Sequence, residues 1–139
     1  MLRYIFDSDM FSHYVHGLPA LAGRVDACPP EDLVLSAITI DEALTGWYSK
    51  IRKERHPERI ESAFQSLIDT TIALNDFVLI NYSTTSILRY ESLKKLKLNV
   101  GGNDLRIAAI ALEHNATVVS ANLRDFSRVP ELKVEYWSR

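Results

Sequence analysis

The feature that most constrains the fold is a series of short, uninterrupted apolar runs separated by segments with helical spacing. Three runs of three or four apolar residues lie at 4–6, 33–35 and 77–80, and a fourth short run, Thr117-Val118-Val119, is apolar after its first residue. Uninterrupted apolar runs of this length indicate strands that are buried on both faces. A fifth segment, residues 133–136, alternates polar and apolar residues, which predicts a short edge strand.

The segments between these runs have the apolar spacing of helices. Apolar residues recur three, four and seven positions apart over 40–51 and over 60–68, where Pro57 marks the start of the second helix. A less regular helix is predicted over 83–97, and residues 105–112 are apolar almost all round, which predicts a deeply buried helix. Buried strands alternating with helices predict an α/β fold with a mainly parallel sheet covered on both faces.

Length and composition limit the class of protein further. A chain of 139 residues fits one domain around one core, so we expect a single domain over residues 1–139. Sixteen basic against 18 acidic residues exclude a uniformly basic nucleic-acid binder. No run approaches the roughly 18 apolar residues of a membrane span, the first residues lack a signal-peptide pattern, and Cys28 is the single cysteine. We therefore expect a cytoplasmic protein without a disulfide or a membrane partner.

The charges are unevenly distributed along the chain. Residues 1–46 carry seven acidic against two basic groups, whereas 50–59 and 89–97 each have a net charge of +3. An acidic region combined with two basic segments suits a metal-dependent enzyme that acts on a polyanion. Solvated helix faces are the simpler explanation of the basic segments when they are considered alone.

Acidic and polar side chains follow the ends of the predicted strands. Since the carboxyl ends of parallel strands meet at one edge of a sheet, distant residues converge there. The residues concerned are Asp7, Asp9, Thr39, Asp41, Glu42, Ser120, Asn122 and Asp125, and Asp104 joins them by opening the buried helix. Gathered carboxylates repel one another unless a cation balances them, and hard oxygen ligands select Mg²⁺ or Mn²⁺. Such a cation can activate a water and neutralise charge on a phosphodiester.

Each acid also has a purely local explanation. Thr39 to Glu42 match a capping box, in which the glutamate bonds the backbone of the threonine that caps a helix. Asn103 is a good N-cap, so Asp104 would complement the dipole of the buried helix. Helix capping explains Asp7 and Asp9 as well, and a surface turn explains Asp125.

Four segments together resemble the PIN-domain nucleases, and within them the VapC-type toxins of toxin–antitoxin pairs. Residues 4–9 are similar to the opening strand of that family with its Asp-Thr-Asn, and 36–46 to its Ser-x-Ile-Thr-x-x-Glu-Leu-x-x-Gly segment. Residues 103–109 match its Asp-x-x-Ile-Ala helix, and 118–126 its closing signature. The order and spacing of the four segments make the resemblance specific.

The resemblance implies a three-layer α/β/α sandwich and an Mg²⁺- or Mn²⁺-dependent endoribonuclease that cleaves RNA internally. The implied catalytic and metal-binding site consists of Asp7, Glu42, Asp104 and Asp125. Thr39 or Ser120 would position the metal waters or the scissile phosphate. The resemblance also implies a homodimer and a cognate antitoxin that silences the toxin.

The chain departs from the family pattern at two places. Asp9 stands where the family has Asn, and Ser120-Ala121-Asn122 stands where Thr-Asn-Asn is common. Some relatives place the fourth acid at the position of Asn122 and others at that of Asp125. We assign it to Asp125 because no other carboxylate lies in that turn.

The mechanism predicted for this site is attack on phosphorus by a metal-activated water, with RNA phosphates drawn by nearby basic side chains. The predicted RNA contacts are Lys50, Arg52, Lys53, Lys94, Lys95 and Arg106. Two alternatives remain at this point. Asp7 and Asp9 also fit a haloacid-dehalogenase-like phosphatase with Asp7 as nucleophile, although Phe11 departs from that pattern. The second alternative is a non-catalytic module that binds RNA or a partner.

Overall fold

Five parallel strands form one central sheet in the computed structural model, which describes residues 3–137. The strands are β1 (Tyr4–Phe6), β2 (Leu33–Ser36), β3 (Val78–Ile80), β4 (Thr117–Val119) and β5 (Lys133–Glu135). Their order across the sheet is β3-β2-β1-β4-β5, so β1 is central and β5 is an edge strand. The predicted strands and the parallel α/β class are confirmed.

Helices cover the sheet on both faces. They are α1 (Ser8–Val15), α2 (Pro19–Asp26), α3 (Ala37–Lys53), α4 (Pro57–Ala73), α5 (Thr84–Lys94), α6 (Gly102–Glu113) and α7 (Leu123–Phe126). The helix predicted over 83–97 ends three residues early, because Lys97 adopts a left-handed φ of 52° that cannot continue a helix. Two helices, α2 and α7, were not predicted from the sequence.

Alternation along the strands divides the core into two clusters. Ile5, Val34 and Val118 pack with α6 on one face, while Phe6 and Val119 pack with α1 and α2 on the other. Successive strand residues point to opposite faces, so β1, β2 and β4 contribute to both clusters. In β3 only Val78 and Ile80 pack on a cluster and Leu79 is 49% exposed, so the predicted burial on both faces is wrong for this edge strand. The predicted three-layer α/β/α sandwich is confirmed.

The buried helix α6 behaves as its sequence predicts. Ile107 through Ala111 are fully buried, and Leu105 is only 5% exposed. Apolar side chains surround this helix on nearly every side, so its position under the sheet is fixed. That position fixes the place of Asp104 in its first turn.

Two helices begin earlier than their local motifs predict. Ser36 caps α3 by accepting a 3.4 Å hydrogen bond from the Thr39 backbone N–H, so the capping box predicted for Thr39 and Glu42 is wrong. Gly101 occupies the N-cap position of α6, and the cap predicted at Asn103 is wrong too. Among residues 3–137, no helix is both long and apolar enough to cross a membrane.

Candidate active site

Asp7 lies at the carboxyl end of the central strand, directly after β1. Its Oδ1 accepts a 2.9 Å hydrogen bond from the Met10 backbone N–H, so it caps α1. Its Oδ2 accepts a 2.5 Å hydrogen bond from Ser120 Oγ at the end of β4. Phe6 and Val119 are paired in the sheet, which places the two residues that follow them side by side. The side chain is 3% exposed, so its charge is largely removed from water.

Burial raises the pKa of Asp7 from 3.8 to about 6. The hydrogen bonds from Ser120 and Met10 lower this pKa, and the negative charges of Asp9 and Asp104 raise it again. The carboxyl group therefore changes its protonation state close to neutral pH unless a cation compensates its charge. A raised carboxyl pKa at a sheet edge is typical of functional sites.

Asp104 lies in the first turn of α6 and is partly buried. Burial raises its pKa, a hydrogen bond from Asn122 lowers it, and the charges of Glu42, Asp9 and Asp125 raise it further. Acidic groups from α1, α3 and α7 thus act on one carboxyl group of α6. The fold brings together the acids that the sequence predicted to converge.

Glu42 lies in the second turn of α3 and faces α1 rather than its own helix start. Its Oε1 accepts a 2.5 Å hydrogen bond from Ser8 Oγ, the first residue of α1. Ser8 was not predicted as a site residue, although it occupies the middle position of the Asp7-Ser8-Asp9 segment. Its place between the two aspartates was the sequence feature that could have identified it as a site residue.

Asn122 connects two of the acids. Its Nδ2 donates to Asp104 Oδ2 at 3.2 Å and to Asp125 Oδ2 at 3.0 Å. The other carboxylate oxygen of Asp125 accepts a 3.0 Å hydrogen bond from Arg128, which also donates to the Asn99 carbonyl at 2.7 Å. Asp125 therefore forms an ion pair with Arg128, a partner that was not predicted from the sequence.

The two predicted positioning hydroxyls both donate within the protein. Thr39 Oγ1 donates to the Phe6 carbonyl at 3.1 Å, which ties α3 to the last residue of β1. Ser120 Oγ donates to Asp7 and accepts from the Asn122 backbone N–H at 2.8 Å. Both side chains are fully buried. In this arrangement they hold the acids in place.

The predicted RNA-contacting residues occupy different surroundings. Lys50 lines a cavity together with Glu42, next to the acids. Arg106 instead stacks over Tyr90, with its guanidinium carbon 4.5 Å from the ring centroid, and donates to Asn103 at 3.0 Å. The remaining predicted contacts lie exposed at the carboxyl-terminal ends of α3 and α5: Arg52, Lys53, Lys94 and Lys95.

The donor set fits a hard divalent cation in its chemistry. Carboxylates, hydroxyls and an amide surround the site, and these oxygen donors are the ligands that Mg²⁺ and Mn²⁺ prefer. Within residues 3–137, no three histidine, cysteine or acidic side chains are already arranged around one point. Mg²⁺ keeps several of its waters and needs only one or two carboxylates, so this spacing is compatible with it. Burial, and to a smaller extent the charges of the neighbouring acids, raise the pKa values of Asp7 and Asp104, and a bound cation would offset both effects.

Comparison with known proteins gives consistent matches over nearly the whole chain. Ribonuclease VapC1 of Haemophilus influenzae (strain R2866) is 28% identical over 138 residues, which cover 98% of each chain. The structure of VapBC-1 from nontypeable Haemophilus influenzae is 25% identical, with a TM-score of 0.75 and 98% of each chain covered. The DNA-bound VapBC of Salmonella typhimurium has the same fold, with a TM-score of 0.75, 23% identity and 99% of each chain covered.

The sequence model of one family, the PIN domain, matches residues 4–132. That range includes all five acids described above and every strand except the last. The chain therefore belongs to the PIN domain family and is similar to its VapC members.

Proposed function

We propose that this protein is an endoribonuclease that depends on Mg²⁺ or Mn²⁺ and acts as the toxin of a toxin–antitoxin pair. The observation that carries the proposal is the pair Asp7 and Asp104, whose pKa values are raised by burial and by the neighbouring acids. The relation to ribonuclease VapC1 supports RNA as the substrate.

In this proposal the divalent cation is held by Asp7, Glu42 and Asp104, with Asp125 completing the acidic pocket. When bound, the cation supplies charge neutralisation for the phosphodiester and lowers the pKa of a water. The chain itself fixes its carboxylates before any ligand arrives. Ser120 holds Asp7, Ser8 holds Glu42, and Asn122 holds Asp104 and Asp125 relative to each other.

Asp125 makes a smaller contribution than the other three acids in this scheme. Arg128 already compensates its charge through a 3.0 Å ion pair. The fourth position was predicted at either Asn122 or Asp125, and the Asn122 amide donates to the Asp125 carboxylate, so the two side chains act as one unit. We assign Asp125 and Asn122 jointly to that position.

The substrate phosphates are bound by exposed basic side chains in this proposal. Lys50 lies nearest to the acids, since it shares a cavity with Glu42. The other proposed contacts are Arg52, Lys53, Lys94 and Lys95. Arg106 takes a supporting role, because its guanidinium is already engaged by Tyr90 and Asn103.

The proposal extends to the assembly of the protein. Residues 1–139 would form one domain, since relatives of the same length match from end to end. A cognate antitoxin and a homodimer follow from the relation to the VapC toxins. Co-purification of the chain with the product of a neighbouring reading frame would test the first partner.

A phosphatase that uses Asp7 as a nucleophile is less compatible with this geometry. Both carboxylate oxygens of Asp7 already accept hydrogen bonds, and the side chain is 3% exposed. A nucleophile needs an oxygen directed at the substrate. The non-catalytic alternative predicts no cation binding, so calorimetry with Mn²⁺ distinguishes it.

The direct test is cleavage of labelled RNA by the purified protein with Mg²⁺ or Mn²⁺, and with a chelator as control. We expect Asp7→Asn and Asp104→Asn each to reduce the rate by at least about 100-fold. Asp69→Asn is the matched control, because Asp69 is exposed on α4 and bonds only Gln65 among its described contacts. Wild-type rates in both Asp7→Asn and Asp104→Asn would overturn the proposal.

A further inference from the structure

A cavity of about 320 Å³ opens beside Glu42, between α1, α3 and α4. Its lining includes Ser8 and Glu42, together with His16, Trp47 and Lys50. Because Ser8 and Glu42 also belong to the acidic site, a group held in this cavity lies next to the carboxylates. We call this space the base cavity.

Two rings and a cation provide the recognition chemistry of the base cavity. The rings of Trp47 and His16 lie 6.3 Å apart between centroids and are inclined at 58°. Lys50 Nζ is 5.5 Å from the centre of the Trp47 ring. His16 Nδ1 lies 2.7 Å from the Ser12 carbonyl, so this nitrogen donates a proton there and Nε2 is the acceptor in the neutral ring.

Trp47 is not needed for either core. Neither cluster on the faces of the sheet includes it, although its neighbours on α3, Ile40 and Ala43, pack against one of them. A large aromatic side chain outside the core and beside a cluster of acids has a surface role. Planar aromatic rings bind unpaired bases by stacking, and a nearby lysine attracts the attached phosphate.

We propose that the base cavity receives an unpaired base of the RNA next to the phosphodiester at the acidic site, with the base stacked on Trp47. This inference rests on the proposed function. A base is favoured over a peptide side chain because the cavity joins the place where the phosphodiester would lie. Lys50 also attracts a phosphate and repels a cationic side chain.

The cavity gives the protein a means of selecting its cleavage site. Stacking on Trp47 accepts any base, since every base has an aromatic face. The Nε2 of His16 can accept from the exocyclic amino group of adenine or cytosine, which uracil lacks. The cavity would therefore favour a base with an amino group next to the cleaved bond.

The test uses a short single-stranded RNA in chelator-containing buffer, together with copies that carry an abasic position at each site in turn. Tryptophan fluorescence reports the binding, because the other tryptophan, Trp137, is 1% exposed and shielded from added ligand. We expect RNA to quench the fluorescence of Trp47. One abasic position should weaken binding by about 10-fold.

Substitutions locate the base. Because substitution of Trp47 removes the fluorescent reporter, binding by all the variants is measured as the fluorescence anisotropy of end-labelled RNA. Trp47→Ala should weaken binding of the intact RNA by about 10-fold and should leave binding of the critical abasic RNA unchanged. Trp47→Phe should retain most of the affinity, because phenylalanine still stacks. Tyr48→Ala is the matched control, since Tyr48 is the adjacent, exposed aromatic residue on α3 and does not line the base cavity. Affinity of Tyr48→Ala should equal that of the wild type.

The outcomes separate this inference from the proposed function. One outcome is that the wild type and Trp47→Ala bind intact RNA equally well while the wild type cleaves it normally. That result contradicts the proposal that the base cavity receives an RNA base, and it leaves the nuclease proposal intact. Base-dependent quenching without cleavage supports the cavity and contradicts the nuclease. If Trp47→Ala weakens binding of a partner protein but not of RNA, the occupant is a peptide and the inference is wrong.

Discussion

Ser120 Oγ donates a 2.5 Å hydrogen bond to Asp7 Oδ2, and this contact joins the ends of β4 and β1. The same hydroxyl oxygen accepts a 2.8 Å hydrogen bond from the Asn122 backbone N–H. Asn122 in turn bonds both Asp104 and Asp125. One buried serine therefore connects the acid at the central strand to those on α6 and α7.

Replacing Ser120 by alanine should destabilise the protein and raise the pKa of Asp7 further. The substitution leaves a buried carboxylate and a backbone N–H without their partner, which costs about 1–3 kcal/mol at pH 7.5. Urea unfolding of the metal-free protein measures this loss. Ser127→Ala is the matched control, because Ser127 is exposed and its hydroxyl has the Arg124 carbonyl as its one described partner, so its change should stay within about 0.5 kcal/mol. Equal stability of the two variants would contradict the proposed role of Ser120.

Asp7→Asn should gain stability relative to the wild type, in the metal-free protein, as the pH rises from 4 to 7.5. The folded-state pKa of Asp7 is about 6, above its ordinary value of 3.8, so between these values the folded protein binds more protons than the unfolded chain. The contribution of Asp7 to the free energy of unfolding is therefore fully present below about pH 4. It is lost as the pH rises through 6, and the total loss is about 3 kcal/mol.

The measurement is the free energy of unfolding from pH 4 to 7.5 for the wild type and Asp7→Asn. The difference between the two proteins should grow in favour of the variant across this window. Asparagine keeps a capping oxygen for the Met10 N–H, but its amide nitrogen cannot accept the hydrogen bond from Ser120 Oγ. The pH dependence of the difference, rather than its value at one pH, therefore reports the charge of Asp7. A constant difference at all pH values would show that Asp7 has an ordinary pKa.

Mn²⁺ should raise the midpoint of thermal unfolding of the wild type. A ligand that binds only the folded state stabilises it, by about 2.7 kcal/mol at 100 times its Kd. The increase should be lost in Asp7→Asn and in Asp104→Asn, and it should persist in Asp69→Asn. If millimolar Mn²⁺ leaves the wild-type midpoint unchanged, the acidic side chains do not bind a divalent cation.

Arg128→Gln should have opposite effects on stability and on cation binding. The ion pair between Arg128 and Asp125 is about one-third exposed, so its loss costs no more than about 1 kcal/mol. The charge of Asp125 is then free to attract a cation, and affinity for Mn²⁺ should rise. Calorimetric titration measures this change. A lower affinity would show that Arg128 positions Asp125 for binding rather than competing with the cation.

The strands and the convergence of acids were predictable from the sequence. Strands β1 to β4 each contain a short apolar run, and β5 alternates polar and apolar residues. Asp7, Glu42 and Asp125 come after β1, β2 and β4, so parallel pairing brings them to one edge, and Asp104 joins them from the start of α6. Neighbouring strands hold Asp7 and Ser120 side by side, but their register comes from packing of the whole sheet. The 2.5 Å contact between them could not be read from local pattern.

Helix starts were the least predictable feature. Thr39 is followed three positions later by Glu42, whereas Ser36 is followed by Thr39, so the local motif favours the later start. In the fold, β2 ends at Ser36 and the helix begins at once. Glu42 therefore does not cap α3, and its side chain accepts a hydrogen bond from Ser8, which is 34 positions away in sequence.

Arg52→Ala combined with Lys53→Ala should weaken RNA binding and reduce its dependence on salt. For single-stranded nucleic acid, each phosphate contact contributes about 0.7 to the slope of log affinity against log salt concentration. Removing two contacts should therefore lower the slope by about 1.4 and weaken binding of all RNA sequences alike. Binding is measured in the Asp7→Asn background with a chelator, so that cleavage does not interfere.

The matched control removes two positive charges from the opposite edge of the sheet. Arg3 precedes β1 and Lys133 begins β5, so both lie at the amino ends of parallel strands, whereas the acids lie beyond the carboxyl ends. Arg3→Ala combined with Lys133→Ala changes the net charge equally, and we expect it to leave the slope nearly unchanged. Equal slopes in both double variants would mean that RNA responds to overall charge, and the assignment of Arg52 and Lys53 would be wrong.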